Sequence, residues 1–537
     1  MASALHFRAA WCLTLLLFFS QVYQGQQFHV HPAQKLGTVT FRTTCSPTTH
    51  RGFERAVALL HSFAYSAAEL SFKDVLVMDP RCAIAHWGIA MTNFHQLWDP
   101  PITSDAMGVG EQEIRRAREI GTQSDRERSF MEALALVFQP GVPYATRVVN
   151  YEDAMKKMAA TYSADTEVQV FYALSLLAAA SPFDKTHLRQ KQAAEILEPL
   201  YRKYPQHPGI AHYLIHAYDN AELAKNGIRA ARAYSRIASS APHALHMPSH
   251  IFTRLGMWND SIESNLAARV AAHREGDIGE ELHAMDYLVY AYLQERRDRE
   301  AGEVIQQLKQ MQKLDERDFK IAYASTAMPL RYTVERRQWM DATKILVCEE
   351  APPEVTALAV WGRALGFAKN GSPIQAGIEI GRLHQLERQL RLAGNEYWAG
   401  QVSIQGLEAE AWHAQAQGKT YEARRLLRQA ADEEDATEKL PVTPGPIIPA
   451  REQLGELLLE QNYPDLAIKE FRSALMMAPK RRGSLDGLSR AAALTIKAQQ
   501  QNKDPQSFKK VRHNVKRLNM VEVICDNRRA VKKSNRE

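Results

Sequence analysis

The sequence predicts an all-α fold, a right-handed α-solenoid built from stacked helix-turn-helix repeats. From about Thr48 onward, apolar residues recur with the 3.6-residue period of an amphipathic helix, and strand-like alternation is almost absent. His212 and His216 recur as His246 and His250, each 34 residues later. A fixed repeat of this length indicates that similar helix pairs stack side by side along the chain.

A period of 34 residues is that of the tetratricopeptide (TPR) unit. The C-terminal repeat carries the small and large contact residues of such a helix pair at the expected spacing, namely Leu454, Gly455, Ala467, Phe471, Ala474 and Pro479. We therefore predict a TPR-type solenoid over residues 48–496, and a loop at 440–449 where repeated prolines cannot continue a helix.

The N-terminus is typical of an export signal. Arg8 precedes the apolar run 11–19, and the chain turns polar after it, so residues 1–25 are interpreted as a secretory signal peptide. The run is too short to span a bilayer, and no later stretch predicts a membrane helix. The protein is therefore expected to be secreted or periplasmic; the alternative is a cytosolic protein whose first helix is buried.

Residues 26–47 are predicted to form an extended segment before the solenoid. Outside the leader the cysteines are Cys45, Cys82, Cys348 and Cys525, too few for a disulfide scaffold in a chain of 537 residues. Cys45 and Cys82 flank the first predicted repeat and form a disulfide if that repeat brings its ends together. A pair of buried thiols is the alternative.

The chain ends in a basic tail, residues 497–537, whose excess of Lys and Arg accounts for the whole formal net charge of +6. Basic and acidic residues are interleaved elsewhere, so nucleic-acid binding is not expected of the body of the protein. The tail is interpreted as a solvated end, or as a segment that contacts anionic surfaces.

Histidines on successive repeats predict the most distinctive site. In a helix, residues at i, i+3, i+4 and i+7 share one face, so two sets of side chains each project together: His212, His216 and Asp219 on one helix, and His243, His246 and His250 on the next. Imidazole and carboxylate together suit a divalent transition metal such as zinc, iron or copper. These six residues are the predicted metal ligands.

Further residues are predicted to line the same concave groove: His283, Asp286 and Tyr290 on the following helix, and His61, His95 and Trp87 nearer the N-terminus. Two other interpretations of the histidines stay open, a polar groove that binds a peptide through its imidazoles and ordinary structural hydrogen bonding. Pro248 predicts a kink between His246 and His250, or a helix that begins there.

Several segments of the sequence resemble those of a family of exported, mostly uncharacterised TPR proteins. They are Thr44–Ser46, Leu60–Phe63, Asp79–Ala83 with Trp87 and Gly88, Ala211–Asp219, His243–Phe252 and Pro441–Pro446. The resemblance covers nearly the whole mature chain and implies the solenoid fold. TPR scaffolds in general bind peptides in their concave groove.

The sequence thus favours a secreted TPR scaffold that binds a protein or peptide and carries a histidine-rich metal-binding patch. The alternative is a metal-dependent hydrolase or oxidoreductase in which Asp219 or Asp286 acts as a base or a ligand. No phosphate-binding loop, nucleophile elbow or His-Glu-x-x-His motif is present.

Overall fold

The structure is a computed structural model that describes residues 34–97 and 102–501, with only the backbone for residues 498–501. The described residues form an all-helical solenoid without strands, as predicted. The predicted signal peptide, residues 26–33 of the N-terminal segment and residues 502–537 of the basic tail lie outside the described residues.

The first half of the solenoid consists of twelve helices: α1 (His50–His61), α2 (Tyr65–Met78), α3 (Ala83–Met91), α4 (Ser104–Ile120), α5 (Asp125–Ala135), α6 (Tyr144–Thr161), α7 (Thr166–Ala178), α8 (Leu188–Lys203), α9 (Pro208–Tyr218), α10 (Ile228–Ile237), α11 (Pro242–His246) and α12 (Pro248–Arg254). Short 3₁₀ turns at Pro47–Thr49 and Ala224–Gly227 precede α1 and α10.

Twelve further helices follow: α13 (Trp258–Glu275), α14 (Ile278–Gln294), α15 (Asp298–Gln310), α16 (Phe319–Glu335), α17 (Trp339–Ala342), α18 (Pro353–Lys369), α19 (Pro373–Leu392), α20 (Glu396–Ala416), α21 (Thr420–Asp435), α22 (Ala450–Glu460), α23 (Pro464–Met477) and α24 (Arg482–Gln501). Polar side chains cap several helix starts; Asp277, for example, accepts a hydrogen bond from the amide of Glu280 at the start of α14.

Helix pairs pack as the repeat pattern predicts, with a large ring on one helix over a glycine on the other. A Cβ at Gly455 of α22 would lie 2.7 Å from the ring of Phe471 on α23, and a Cβ at Gly88 of α3 would lie 2.4 Å from the ring of Phe72 on α2. The absence of a side chain at these glycines lets the two helices approach closely.

The solenoid closes on itself, because its C-terminal repeats return to its middle. The indole Nε1 of Trp258 donates to the carbonyl of Lys480 at 3.3 Å. The buried Arg481 forms ion pairs at 2.8 Å with Glu335 and with Glu452. The amide of Arg482 donates to Gln294 Oε1 of α14 at 2.9 Å. Residues 480–482 therefore lie against α13 and α14, in the region that was predicted to be an open groove.

The Pro-rich segment 440–449 packs against the inner side of α14 and α16. Its Val442 and Ile447 side chains are 3% and 4% exposed. Arg331 of α16 donates from Nη1 to the Pro446 carbonyl at 3.0 Å, and Tyr287 of α14 donates to the Thr443 carbonyl at 3.2 Å. These contacts anchor the segment to the solenoid.

The N-terminal segment, described from residue 34, lies against the first repeats. The amide of Thr38 donates to the carbonyl of Gln206 at 2.9 Å, and the Phe41 ring packs on the rings of Phe53 and Trp87. No helix within the described residues combines the length and the apolar character that a membrane crossing requires.

Candidate metal centre

Three successive elements of the solenoid bring the predicted histidines together. Helix α9 carries His212 and His216, the pair α11 and α12 carries His243, His246 and His250, and α14 carries His283. The histidines on α9 and on α11 and α12 were predicted as ligands. His283 was predicted only as groove lining, and the structure places it among them.

Pro248 is the first residue of α12, so the second of the two interpretations of this proline agrees with the structure. Met247, between α11 and α12, keeps helical dihedral angles (φ −52°, ψ −35°), so the chain turns nearly as one helix across the break. Proline lacks an amide hydrogen, and the first residue of a helix has no intrahelical acceptor for one, so proline is well tolerated at this position. His246 and His250 therefore stay on one face.

The six imidazoles form two groups of three. His212, His216 and His243 make the first histidine group, and His246, His250 and His283 make the second histidine group; within each, one ring nitrogen per residue lies within 4.8 Å of the others. Nε2 of His212 and Nε2 of His216 are 3.1 Å apart. The predicted histidines therefore do not share one centre, because His212 and His216 lie in the first histidine group and His246 and His250 lie in the second.

Both groups lie in the interior of the protein. The most exposed of the six residues, His216, is 9% exposed, and the other five are between 0% and 2% exposed. Burial, followed by the neighbouring imidazoles, holds the pKa of His212, His246 and His283 well below the ordinary histidine value. Neutral imidazole is the form that binds metal ions.

Hydrogen-bond partners fix the position of the proton on two rings of the second histidine group. Asn265 Nδ2 donates to the Ser261 carbonyl at 2.7 Å, which leaves Asn265 Oδ1 to accept from His246 Nδ1 at 2.6 Å. His250 Nδ1 donates to Asp219 Oδ2 at 2.9 Å. A neutral imidazole has one N–H, so Nε2 of both His246 and His250 carries a lone pair.

These two lone pairs face each other, with His246 Nε2 and His250 Nε2 only 3.0 Å apart. Burial lowers the pKa of both rings, so neither supplies a second proton to bridge them at neutral pH. Two nitrogens held by one ion at 2.0–2.1 Å in tetrahedral geometry lie about 3.3 Å apart. The observed separation is close to that value, and a cation between the two nitrogens removes the repulsion.

Asp219 was predicted as a metal ligand, but in the structure its carboxylate contacts Nδ1 of His250 and not the space between the two Nε2 atoms. Helix α9 ends at Tyr218, so Asp219 no longer follows the helical face of His216. Its carboxylate accepts from His250 Nδ1, from Arg254 Nε at 2.9 Å and from Lys439 Nζ at 3.0 Å.

The charges around Asp219 decide its protonation state. Burial alone would raise the pKa of this carboxyl, but Lys439 and Arg254, together with the hydrogen bond from His250, hold the pKa well below its usual range. An aspartate in this position orients the imidazole and increases its basicity.

A second buried carboxylate supports the first histidine group. Glu280 Oε2 lies 3.3 Å from Nδ1 of His243, and Glu280 Oε1 accepts from Lys320 Nζ at 2.8 Å. Burial would raise the pKa of Glu280, but Lys320 and His243 more than offset it and hold that pKa well below the usual value. His212 Nδ1 donates to the backbone carbonyl of His61 at 2.7 Å.

Three supporting residues escaped the sequence analysis: Asn265, Glu280 and Lys439. They come from α13, the first turn of α14 and the residue before the Pro-rich segment, with no spacing that relates them to the histidines. A polar residue on the buried face of α13 was the one available signal for Asn265.

A third cluster of possible ligands, His61, Glu167 and His207, differs from the two histidine groups because hydrogen bonds satisfy it completely. His207 Nδ1 accepts from the Ile210 amide, and its Nε2 donates to Glu167 Oε1 at 2.9 Å. His61 Nε2 donates to Glu167 Oε2 at 2.9 Å, and its Nδ1 accepts from the Tyr213 hydroxyl at 2.9 Å. This cluster needs no ion, and His61 belongs to it, not to a groove.

The other predicted groove residues are mostly buried. Trp87 is fully buried, and its ring packs on Phe130 and Phe171, so its assignment to the groove is wrong. Tyr290 is 3% exposed, with the Arg331 guanidinium 4.7 Å from its ring centroid. Their large apolar surfaces fill the core instead.

Asp286 and His95 have different surroundings. Asp286 is 1% exposed, and its Oδ1 lies 3.6 Å from Nε of the buried Arg331. Burial raises the pKa of Asp286, and the Arg331 guanidinium opposes that shift. His95 is exposed and stacks on Tyr65, with ring centroids 4.3 Å apart.

Cys45 and Cys82 are joined by a disulfide bond in the structure, with their Cα atoms 4.8 Å apart. Since a disulfide needs a Cα separation below about 7 Å, the geometry meets the requirement on which the prediction depended.

The ion pairs of Asp219 with Arg254 and Lys439 lie between the second histidine group and a cavity of about 140 Å³. Arg254 and Lys439 line its near side, and Trp361, Glu408 and Glu434 belong to its other walls. None of the six imidazoles is among its lining residues.

Comparisons with known proteins found only distant structural similarities. Neither a protein-family model nor a curated protein matches the chain. Similar solved structures include the human IFIT1 dimer with m7Gppp-AAAA, at 10% identity over 79% of this chain and 90% of that chain, with a TM-score of 0.36. Yeast Tom70 matches at 12% identity over 85% and 90%, with a TM-score of 0.31.

The APC/C hetero-tetramer Cut9-Hcn1 matches at 12% identity over 85% of this chain and 79% of that chain, with a TM-score of 0.35. The solenoid fold rests on the packing of the described helix pairs themselves. At such identities and TM-scores, the similarities say nothing of what this chain binds.

Proposed function

We propose that this protein is a metal-binding solenoid that holds a transition-metal ion in its second histidine group. The opposed Nε2 atoms of His246 and His250, 3.0 Å apart with both protons directed elsewhere, carry the proposal. His283 supplies the third imidazole. Imidazole ligands suit zinc, iron or copper, and the partners Asn265 and Asp219 fix the orientation of two of the rings.

The test is metal analysis of protein expressed without a histidine tag in medium that contains zinc, iron and copper. The native protein should hold at least one ion per chain. The double variant His246→Ala, His250→Ala should hold one ion per chain fewer than the native protein, whereas His273→Ala, at an exposed histidine outside the groups, should match the native protein.

X-ray absorption of the native protein gives a measurement that does not depend on any variant. The ion should have imidazole nitrogens in its first shell. A metal-free native protein from that medium, or a folded double variant that holds as many ions per chain as the native protein, would contradict the proposal.

We also propose that the chain is exported by the leader at residues 1–25. The Cys45–Cys82 disulfide supports export, because such bonds persist in oxidising compartments. N-terminal sequencing of protein from the culture medium or periplasm should find the leader removed. Recovery of the full-length chain from the cytosol with both thiols reduced would contradict this.

The predicted binding of a protein or peptide stays a prediction. The imidazoles are buried and the segment 440–449 covers α14, so such a ligand would bind at a surface away from the two histidine groups. The enzyme alternative stays a prediction as well. Asp219 is poorly suited to act as its base, because three donors occupy its oxygens and its pKa is lowered.

A further inference from the structure

The two histidine groups adjoin each other. The ring centroids of His216 and His250 are 6.1 Å apart, and those of His243 and His246 are 6.0 Å apart, so each group contacts the other through two rings. Each group contributes three imidazoles and no carboxylate. Two ions held in these groups would be neighbours inside one buried centre.

In the first histidine group, acceptors outside the group fix the proton positions of His212 and His243. His212 Nδ1 donates to the His61 carbonyl, so His212 Nε2 carries the lone pair, 3.1 Å from His216 Nε2. His243 Nδ1 donates to Glu280 Oε2 at 3.3 Å, so the lone pair of this neutral imidazole is on Nε2 as well. Each group thus presents at least two Nε2 lone pairs.

The charged side chains around the two histidine groups restrict the kind of ion that these groups can bind. Each nearby carboxylate already has its own cation: Asp219 pairs with Lys439 and Arg254, Glu280 with Lys320, and Asp286 with Arg331. The six imidazoles add no negative charge.

Two divalent ions would therefore bring four uncompensated positive charges into the interior, whereas two monovalent ions bring two. The desolvation cost of an ion grows with the square of its charge, so the site favours the lower charge. Among the metals that imidazole binds well, copper is the one with a stable monovalent state.

We infer that the two histidine groups together bind two Cu(I) ions per chain, in a binuclear centre with imidazole as its only protein ligand. This rests on the proposed metal-binding function and adds to it the number of ions, their identity and their oxidation state. The third cluster, with His61, Glu167 and His207, takes none, because its hydrogen bonds are complete.

The experiment is an anaerobic titration of the metal-free protein with Cu(I), buffered by a chromogenic Cu(I) chelator, in parallel with a Zn(II) titration. The native protein should bind two Cu(I), and an equal concentration of Zn(II) should not displace them. The His212→Ala, His216→Ala variant and the His246→Ala, His250→Ala variant should each bind one. As a matched control in the third cluster, His207→Asn should still bind two.

Copper X-ray absorption of the loaded native protein provides a readout that does not depend on the folding of variants. A nitrogen-only first shell with an absorption edge typical of Cu(I) supports the inference. Binding of a single copper, or replacement of copper by equimolar Zn(II), overturns the inference while the proposed metal-binding function stands. Failure of the native protein to bind copper or zinc here, together with the absence of zinc, iron and copper in the metal analysis, overturns both.

Discussion

Removal of the negative charge at Asp219 should test how the candidate centre is held together. The Asp219 carboxylate is 4% exposed and lies between His250, Arg254 and Lys439. The substitution Asp219→Asn keeps the size of the side chain but leaves both cations buried, with Glu438 at 3.6 Å from Arg254 as the remaining counter-charge.

The magnitude follows from the cost of a buried ion that has lost its partner. Breaking such a pair by removing one partner costs about 3–5 kcal/mol of the free energy of unfolding, and Glu438 places Asp219→Asn near the lower end, at about 3 kcal/mol. Lys439→Met should cost less, about 1 kcal/mol, because burial already lowers the pKa of Lys439 to about 8 and because Arg254 stays paired with Asp219.

The double variant Asp219→Asn, Lys439→Met removes one charge of each sign, so its cost should be about 1–2 kcal/mol less than the sum of the single costs. Urea denaturation of all four proteins, measured in chelator so that metal binding does not contribute, gives the coupling energy directly. Single costs that add to within about 0.5 kcal/mol would show that Asp219 and Lys439 do not act as a buried pair, and would refute the reasoning.

Three further predictions concern the fold. Gly455→Ala should lower the free energy of unfolding by about 1–3 kcal/mol, because its Cβ would overlap a packed ring, whereas Gly381→Ala, with open space around it, should raise it by up to about 1 kcal/mol; equal urea midpoints would contradict this. Burial raises the pKa of Glu434 to about 8, so its contribution to stability is full below about pH 4.5 and is lost as the pH rises to 8; by urea denaturation, the stability advantage of the native protein over Glu434→Gln should fall by about 2–4 kcal/mol between pH 5 and 8, and a constant difference would count against it. Replacement of Cys45 and Cys82 by serine opens a loop with a sequence separation of 37 and should cost about 4 kcal/mol in thermal or urea unfolding; an unchanged stability would argue that the bond is absent or strained.

The sequence by itself determined where the helices lie and which pairs of histidines share one helical face. Helical periodicity depends on neighbours within a few residues, and a 34-residue repeat places equivalent helices side by side whatever the loops do. His212 and His216 therefore share one face, as do His246 and His250, but the two pairs belong to different groups. The spacing of Gly455 and Phe471 likewise fixed how one helix packs on the next.

Helix ends and long-range contacts were decided by the tertiary structure. Asp219 follows His216 at helical spacing, but α9 stops one residue before it, so its carboxylate meets Arg254 and Lys439 instead of an ion site. Whether a helix continues past a given residue or ends there depends on the packing of the surrounding structure, which the local sequence pattern does not contain.

The closure of the solenoid was also beyond the sequence. Lys439 reaches Asp219 across 220 positions of chain, and Arg331 holds the Gly445 and Pro446 carbonyls. Such contacts are set by the small rotation between successive repeats, accumulated over the whole solenoid, and a single repeat does not specify it. That accumulated geometry buries the imidazoles that the sequence had placed on an open groove.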